Sequence, residues 1–393
     1  MTEPSHAGAL AGIRVINAGQ ILAAPFCSTL LGEFGADVIK VEQPRKGEAN
    51  RGNVSFAQDN RNQRSITLDF NHPEGKALFR RLCDASDILV ENFRPGTLEK
   101  WNLAPDSLRE SNPGLVVVRI SGYGQTGPYK DRAGFDRVAL AFAGMTGLTG
   151  YEDRPPVRPG FFVADYGAGV FAAFGALAAI QARQSTGRGQ DVDVALYEAV
   201  WRMSGAHAAS FGLSGHNRPR SGNYFPGVVP AEQFETNDGS FIVINATTQI
   251  AFEKLCHAIG QPELIADARF TPRPNLMRNY AAIHSILGEW VAARSLEACQ
   301  RTLDEFGVPA TKVYEISDVI ADPHVHARDQ VLTVDSFDHG PLLQPGIVPR
   351  LSETPGTVRS RAPKLGEHNE EVYLDLLQLP RAEFERLQSE GVI

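Results

Sequence analysis

The chain has 393 residues, of which 42% are hydrophobic and 21% are charged, as is ordinary for a water-soluble globular protein. Single hydrophobic cores stop growing at about 250–300 residues, so two domains are expected. The net charge of −8 excludes a general nucleic-acid binder, because neutralising phosphates needs clustered basic charge. Four widely spaced cysteines without a C-x-x-C pair indicate reduced thiols and a cytoplasmic protein.

Targeting and membrane signals are not expected. The first residues, MTEPSHAGAL, lack the basic and apolar regions of a secretory signal. The longest uncharged apolar stretch, residues 166–180, is too short to span a bilayer and rich in Gly and Ala. The sequence therefore predicts a cytoplasmic protein with no membrane partner and no nucleic-acid partner.

Strands and helices alternate in the first third of the chain. Apolar, β-branched runs predict strands at 13–19, 37–44, 64–70, 87–93 and 115–121. Amphipathic spacing predicts helices at 25–36 and at 72–86, the latter with Pro73 in its first turn. This alternation predicts an α/β fold with a doubly wound, mostly parallel sheet.

Further along, the pattern indicates a second region. A long helix is predicted at 166–183, then a strand that enters a helix from residue 191. Pro, Gly and Asn concentrate at 216–230, which is typical of a boundary loop, and TNDGS at 236–240 predicts a hairpin. Helices follow over 249–306, with a short strand and a helix in 306–328. The end is predicted to be Pro-rich and extended before a last helix at 367–378.

Three glycines after the strand at 115–121 have the spacing of a dinucleotide-binding turn. Gly122, Gly124 and Gly127 form G-x-G-x-x-G. Such a turn needs a helix directly after it, but Pro128 and a polar run up to Gly134 follow instead. No acidic residue ends a second strand about 20 residues further on, so simple turn formation is favoured over an NAD(P) oxidoreductase.

Motifs of metal or triad chemistry are absent from the sequence. There is no H-E-x-x-H, no P-loop and no G-x-S-x-G. His324 and His326 form a pair, but without a nearby pattern of cysteines or carboxylates. No metal is expected.

Asp165 is a lone carboxylate in an apolar run, directly before the predicted helix at 166–183. The simpler interpretation is an N-cap, in which the carboxylate accepts backbone N–H bonds. The same position suits a nucleophile, because Gly167, Ala168 and Gly169 leave room for a ligand and a carboxylate can attack an activated acyl group. Both interpretations stay open on the residues alone.

Basic residues collect near the predicted strand ends. In a doubly wound sheet the carboxyl ends of the strands are where ligands bind, so local positive charge there indicates a phosphate-bearing ligand, although a solvated surface is the simpler explanation. These residues are Arg45, Lys46, Arg51, Arg61, Arg64, Arg94, Lys100, Lys130 and Arg132.

Several long stretches resemble the class III coenzyme A transferases of the CaiB/BaiF type, a family that includes formyl-CoA:oxalate CoA-transferase and α-methylacyl-CoA racemase. The matching stretches include LAGIRVINAGQILAAPFCSTLLGEFGADVIKVEQP, NRNQRSITLDFNHPEG, RISGYGQTGPYKDRAGFD and VADYGAGVFAAFG, in family order from about residue 10 onward. PPVRPG and GYGQTGP look especially like the succinyl-CoA-dependent dicarboxylate CoA-transferases.

The resemblance implies a Rossmann-like large domain built from both chain ends, a smaller α+β domain between them, and an interlocked homodimer. The corresponding domains here are 1–215, 216–325 and a returning segment, 326–393. It also implies that CoA or acyl-CoA and small carboxylic acids are the substrates, with no tightly bound cofactor and no metal.

By position, Asp165 matches the catalytic aspartate of the family, which implies a ping-pong reaction through an aspartyl anhydride and an aspartyl-CoA thioester. The positions that match CoA contacts are Leu22, Ala23, Gln43, Leu68, Asn71, Asn92, Phe93, Arg94, Lys100, Ala133, Gly134, Phe135 and Asp136. Gln43 and Asn71 replace an arginine and a lysine of formyl-CoA transferase, so Arg45, Arg94 or Lys100 must supply part of the phosphate binding.

The acceptor site follows the family less closely. The glycine-rich lid of formyl-CoA transferase has no copy here, and residues 221–230 stand in its place, with Phe225 where many relatives have histidine. Asn223, Tyr224 and Phe225 are candidate substrate residues, and Arg158 is a candidate partner for a second acceptor carboxylate.

Two alternatives remain. The racemase branch has G-H-D where this chain has Gly134, Phe135 and Asp136, so a two-base proton shuttle would lack its histidine. A non-catalytic CoA-binding protein is disfavoured by the presence of Asp165. CoA transfer from an acyl-CoA such as succinyl-CoA to a carboxylic acid is therefore the predicted function.

Overall fold

The computed structural model describes residues 8–393, which divide into two compact units. The first contains the described residues up to Leu148, together with Val157–Arg218 and Ala327–Ile393. The second contains Thr149–Pro156 and Pro219–His326. The short segment Thr149–Pro156 belongs to the second unit, although it lies inside the sequence range 1–215 that the resemblance assigned to the large domain.

The first unit is built on a parallel sheet of six strands. Their order is β3-β2-β1-β4-β5-β6, the arrangement of a doubly wound nucleotide-binding fold. The predicted α/β fold class is thereby confirmed. The strands are β1 (Arg14–Asn17), β2 (Asp37–Glu42), β3 (Gln63–Thr67), β4 (Ile88–Glu91), β5 (Val116–Ser121) and β6 (Asp191–Ala195).

Helices cover the sheet on both faces, as parallel strands require. The N-terminal part supplies α1 (Ala23–Glu33), α2 (Val54–Asp59), α3 (Pro73–Asp84), α4 (Thr97–Lys100), α5 (Pro105–Arg109), α6 (Asp136–Phe142), α7 (Met145–Leu148), α8 (Val163–Thr186), α9 (Leu196–Met203) and α10 (His207–Ser214). One core packs α1, α6, α8 and α9 against the sheet. The other packs α3 and the C-terminal segment against the opposite face.

The second unit has an antiparallel sheet of order β7-β8-β9 and its own core. The predicted hairpin around residues 236–240 joins β7 to β8. The elements are β7 (Ala231–Glu235), β8 (Phe241–Asn245), α11 (Gln249–Ala258), a 3-10 turn (Pro262–Ile265), α12 (Arg273–Arg278), α13 (Tyr280–Ala292), α14 (Leu296–Glu305), β9 (Ala310–Lys312) and α15 (Ile316–Ala321), with α16 (Pro323–Ala327) at its end.

The C-terminal segment differs from its prediction. The stretch expected to be extended contains an antiparallel hairpin of β10 (Val331–Ser336) and β11 (Gly340–Pro345). The helix expected at 367–378 is a six-residue π-helix, Glu371–Leu376, and a further helix, α17 (Arg381–Glu390), follows it. Pro380 directly precedes α17, and Phe384 and Leu387 are its buried residues. The missed signal was this pair of apolar residues three apart after a proline.

Helix α8 is longer than the apolar stretch noted in the sequence. By length and composition alone it could cross a membrane, and 39% of its most apolar window is buried. A core helix of a water-soluble protein meets the same criteria, and the alanines of α8 pack into the core on the sheet. Length therefore does not decide the question of a membrane span.

Candidate active site

The strand order reverses between β1 and β4, and this is where doubly wound sheets bind ligands. The two strand ends are tied together there by a reciprocal pair of hydrogen bonds. The backbone N–H of Gln20 donates to Asn92 Oδ1 at 2.8 Å, and Asn92 Nδ2 donates to the Gln20 carbonyl at 2.8 Å. Sequence reasoning singled out Asn92 but missed Gln20, although its position three residues after β1 was a usable signal.

The residues expected to contact CoA follow the carboxyl ends of five neighbouring strands. Leu22 and Ala23 come after β1, Gln43 after β2, Leu68 and Asn71 after β3, and residues 92–94 after β4. Residues 133–136 end the loop after β5. Because parallel strands have their carboxyl ends at one edge of a sheet, the structure places these positions along the same edge.

Arg119 holds the part of this edge that carries Asn92, Phe93 and Arg94. Its guanidinium donates to Glu91 Oε1 at 2.8 Å and to Glu99 Oε1 at 2.8 Å. The other oxygen of Glu91 accepts the backbone N–H of Phe93 at 2.6 Å. The arginine thus connects the end of β4 with α4, the helix that ends at Lys100.

The basic residues that the sequence predicted near the strand ends fall into two groups. Arg51, Arg61 and Arg64 form ion pairs with Glu42, Glu33 and Asp37, respectively, so their charge is spent within the fold. The others, Arg45, Lys46, Arg94, Lys100, Lys130 and Arg132, are exposed, and none of them forms an ion pair within residues 8–393. The second group therefore contains the cations available to a phosphate.

The backbone geometry of the loop after β5 accounts for its three glycines without a bound nucleotide. A Cβ on Gly122 would stand 2.7 Å from the Cα of Gly134, so these two backbones pack directly against each other. Gly124 and Gly127 have φ of +88° and +82°, a region that favours glycine. No helix begins after Gly127 until Asp136, which agrees with the sequence argument against a dinucleotide turn.

Asp165 is the third residue of α8, not its N-cap. The N-cap position is occupied by Phe162, whose side chain accepts no hydrogen bond. The carboxylate of Asp136 takes that role: its Oδ1 accepts the N–H of Ala164 at 2.8 Å and that of Asp165 at 3.4 Å. The N-cap interpretation of Asp165 is therefore wrong, because the cap comes from a residue 29 positions earlier.

The Asp165 carboxylate is poorly compensated. Burial, followed by the charge of Asp136, raises the pKa of Asp165 to about 7. Within residues 8–393 no side chain or amide donates a hydrogen bond to this carboxylate, and no cation pairs with it. A partly buried carboxylate with a raised pKa and unused lone pairs has the properties of a reactive group rather than a structural one.

The small residues after Asp165 serve helix packing. A Cβ on Gly169 would stand 2.8 Å from the Phe26 ring and 3.0 Å from the Ala23 carbonyl, so this glycine lets α8 approach α1. A Cβ on Gly167 would meet the flexible end of Met203 at 2.6 Å, and Ala168 is fully buried. These residues therefore have a role in packing, and the expectation that they also leave room for a ligand stays a prediction. Asp165 therefore lies one helical turn before the glycine at which α8 packs against the start of α1.

The candidate substrate residues lie in different units. Arg158 is in the first unit, where it is exposed and its Nη1 donates to the Pro159 carbonyl at 3.0 Å. Asn223, Tyr224 and Phe225 are in the second unit, where the Tyr224 ring packs on Tyr280 with centroids 4.1 Å apart.

A cluster that no sequence pattern indicated lies under Tyr224. Glu232 is buried, the Tyr280 hydroxyl donates to it, and His284 Nδ1 lies 2.5 Å from its other oxygen. All four residues belong to the second unit, so the cluster anchors the segment 221–230 there. In the part of the chain that the structure covers, no group of three or more His, Cys, Asp or Glu residues could hold a metal ion.

The model of the family described as CoA-transferase family III matches residues 10–369. The chain belongs to CoA-transferase family III. It is 42% identical over 390 residues to a succinyl-CoA--D-citramalate CoA-transferase of Chloroflexus aurantiacus, covering 97% of both chains. It is also 42% identical to the beta subunit of a succinyl-CoA--L-malate CoA-transferase of the same organism, with 98% of both covered.

Among solved structures, a CAIB/BAIF family protein from Brucella suis matches with a TM-score of 0.83 at 33% identity, covering 94% of this chain and 100% of that chain. The fold and family that the sequence predicted are thus confirmed, and the protein is an enzyme of family III. The predicted transfer of CoA is confirmed at the level of the family.

Proposed function

We propose that the protein transfers CoA from succinyl-CoA to a small dicarboxylic acid, with Asp165 as the nucleophile. The observation that carries this is the Asp165 carboxylate, which is partly buried, has no hydrogen-bond donor within residues 8–393, and lies one helical turn before the glycine at which α8 packs against α1. The donor and the acceptor class are supported by the names of the relatives that act with succinyl-CoA.

The reaction balances without a metal and without net proton transfer. An Asp165 oxygen attacks the thioester carbon of the donor, the C–S bond breaks, and a mixed anhydride and CoA thiolate form. The thiolate attacks the aspartyl carbon, which releases the donor acid and leaves an aspartyl-CoA thioester. The acceptor carboxylate displaces the thiolate to give a second anhydride. The thiolate then attacks the acceptor acyl carbon, which yields the new acyl-CoA and restores the Asp165 carboxylate.

CoA is held in this proposal along the carboxyl edge of β1 to β5, by backbone groups of the predicted positions and by those of their side chains that reach the surface. Arg45, Arg94 and Lys100 are the cations offered to its phosphates, because their charges are not used in ion pairs within residues 8–393. Arg158 binds the second carboxylate of the acceptor, and Asn223, Tyr224 and Phe225 contact the acyl group. No tightly bound cofactor takes part.

The active form is proposed to be a cytoplasmic, interlocked homodimer. Val170, Phe174 and Leu177 form an exposed apolar stripe along α8, with Phe174 70% exposed. The same three residues, together with residues of α1 and of the range 345–351, line an apolar cavity of about 760 Å³. Monomeric proteins rarely leave large apolar patches in water, so a second copy rather than a bilayer is proposed to cover this surface.

The test follows label exchange from succinyl-CoA into a panel of dicarboxylic and monocarboxylic acids by chromatography. Asp165→Asn is expected to lower kcat by roughly 10⁴-fold, because it removes the nucleophile. Asp338→Asn, a matched change at an exposed residue of the β10–β11 turn, is expected to keep full activity. Hydroxylamine added during turnover should modify Asp165, as identified by mass spectrometry of its peptide.

Two further outcomes sharpen the assignment. Arg158→Ala should raise KM for dicarboxylates by roughly tenfold and leave KM for monocarboxylates unchanged, since only the former lose an ion pair. An equal effect on both would remove Arg158 from the acceptor site. An unmodified Asp165 together with α-proton exchange in deuterated water would refute CoA transfer in favour of a racemase.

A further inference from the structure

We propose that Asp136 is a positioning residue for Asp165: it caps the start of α8 from outside that helix and holds a negative charge beside the nucleophile. This inference rests on the proposed function of Asp165. The matching of family positions gave Asp136 a different task, contact with CoA. In the structure its side chain is turned into the protein and engaged with the backbone of α8.

The geometry is that of an N-cap supplied by another helix. Asp136 is the first residue of α6, and only 4% of its surface is exposed. Its Oδ1 receives the N–H groups of the second and third residues of α8, the same groups that an N-cap side chain normally satisfies. Because Phe162 at the N-cap position has no acceptor in its side chain, α8 depends on Asp136 for this cap.

The second contact connects the cap to the proposed nucleophile. The backbone N–H of Asp165 itself donates to Asp136 Oδ1 at 3.4 Å. This hydrogen bond fixes the backbone from which the reactive carboxylate projects. A shift of the first turn of α8 would move that carboxylate with it. Misplacement of a reacting group by about 1 Å can cost 10²-fold in rate, so such a bond has catalytic value.

The charges around Asp165 are few. Asp136 on α6 is the acidic neighbour, and Tyr166 on α8 follows in the chain, with its hydroxyl donating to Asp59 on α2 at 3.0 Å. No lysine, arginine or histidine of residues 8–393 acts on the Asp165 carboxylate. The carboxylates of Asp136 and Asp165 therefore both lie at the start of α8, and the N–H groups of the helix donate hydrogen bonds only to that of Asp136.

This asymmetry favours the covalent intermediates. The Asp165 carboxylate carries a negative charge before attack, but the acyl anhydride and the CoA thioester formed on it are neutral. Repulsion from Asp136 raises the energy of the free carboxylate and is relieved when the oxygen or the aspartyl carbon becomes acylated. Asp136 thus both orients Asp165 and makes its acylation more favourable.

Two substitutions separate the cap from the charge. Asp136→Asn keeps an oxygen that accepts the two N–H groups and removes the charge, whereas Asp136→Ala removes both. With Asp136→Asn, Tm should stay within about 2 °C of the wild type, and the acidic limb of kcat/KM should move to lower pH by roughly one unit, because the pKa of Asp165 falls when its acidic neighbour is neutralised. Asp136→Ala should show the same displacement and a kcat lowered at least tenfold.

The controls decide between positioning and a purely structural role. Asp338→Asn should leave the pH profile in place, which excludes an effect of net charge. A purely structural Asp136 predicts that both substitutions lower Tm without moving the acidic limb, and that result would overturn the inference. An unmoved limb in Asp136→Asn, with unchanged Tm, would also overturn the role of the charge.

A direct titration keeps this test independent of the proposed reaction. In protein labelled with ¹³C in its aspartate carboxyl groups, the NMR signal of Asp165 is assigned by its loss in Asp165→Asn. Its midpoint should fall in Asp136→Asn even if no acyl-CoA is turned over. If the wild type does not transfer CoA but the Asp165 midpoint falls in Asp136→Asn, only the proposed function is refuted. If the wild type transfers CoA but the midpoint does not move in Asp136→Asn, only the inference about Asp136 is refuted.

Discussion

Two regions of the first unit contain buried or partly buried carboxylates. In one region the carboxylates form ion pairs, and in the other they do not. Beyond the end of β2, Glu48 forms an ion pair of 2.7 Å with Lys40, and both side chains are almost completely buried. In the same region, Glu42 of β2 forms an ion pair with Arg51. At the start of α8, Asp165 and Asp136 lie together with no cation on either among residues 8–393.

The difference separates stability from chemistry. Two buried charges that pair offset each other's desolvation, and removing one of them destabilises the fold because it leaves the other uncompensated. A buried charge left unpaired is held at high energy, and a reaction that neutralises it gains from that energy. Removing a charge in the first region should therefore lower stability, whereas neutralising a carboxylate in the second should change turnover without lowering stability.

The largest expected effect is in the paired region. Glu48→Gln removes the charge that pairs with the buried Lys40 ammonium, whose other hydrogen bond is to the Gly19 carbonyl at 3.4 Å, so we expect a loss of about 3–5 kcal/mol in the free energy of unfolding and a fall in Tm of roughly 5–10 °C. The measurement is thermal unfolding followed by circular dichroism. Glu390→Gln, which removes a partly exposed ion pair with Arg386, is the control and should change Tm by less than about 1 °C.

A double substitution completes this comparison. Lys40→Met combined with Glu48→Leu removes both charges, and its Tm should lie well above that of Glu48→Gln alone. A double variant as unstable as the single one would show that packing, rather than the unpaired charge, dominates in this region.

The next effect has the opposite sign. In the folded state the pKa of Asp165 is raised from its ordinary value of 3.8 to about 7, so ionising this carboxylate destabilises the fold. This destabilisation is complete above pH 7 and disappears as the pH falls toward 3.8. Asp165→Asn should therefore raise Tm by roughly 2–4 °C at pH 8, and the gain should shrink at pH 5. An equal gain at both pH values would mean that the charge of Asp165 carries no such cost.

Much of the fold could be predicted from local patterns. The strands β1 to β5 are apolar, β-branched runs bounded by glycines and polar turns, so their boundaries were predicted to within about three residues. The C-terminal hairpin and α17 were missed because prolines at 341, 345 and 380 suggested extended chain. The apolar alternation in β10 and the turn at residues 337–339 were weaker signals than these prolines.

The site was predicted less well, since its contacts join residues far apart in the chain. Asp165 was placed at a helix start, but no local pattern showed that its cap would come from Asp136. Likewise, Arg51, Arg61 and Arg64 were expected to form a basic surface, whereas acidic residues on neighbouring elements pair with them. Only tertiary structure shows whether a charge is available to a ligand.

The smallest expected effect concerns Arg119, where a paired charge borders the CoA-binding edge. Lysine cannot bridge Glu91 and Glu99 with a planar fork, so Arg119→Lys should lose one of the two ion pairs and loosen the segment 92–94. We expect KM for the acyl-CoA to rise roughly threefold, with kcat and the acidic limb of the pH profile unchanged, because the change weakens binding without touching Asp165. Initial rates at varied acyl-CoA and saturating acceptor provide the measurement.

A matched Arg64→Lys, which also weakens an ion pair to an acidic partner but lies at the other end of β3 from Leu68, should leave KM unaltered. If Arg119→Lys lowers kcat instead of raising KM, the paired region takes part in turnover and the division between the two regions fails.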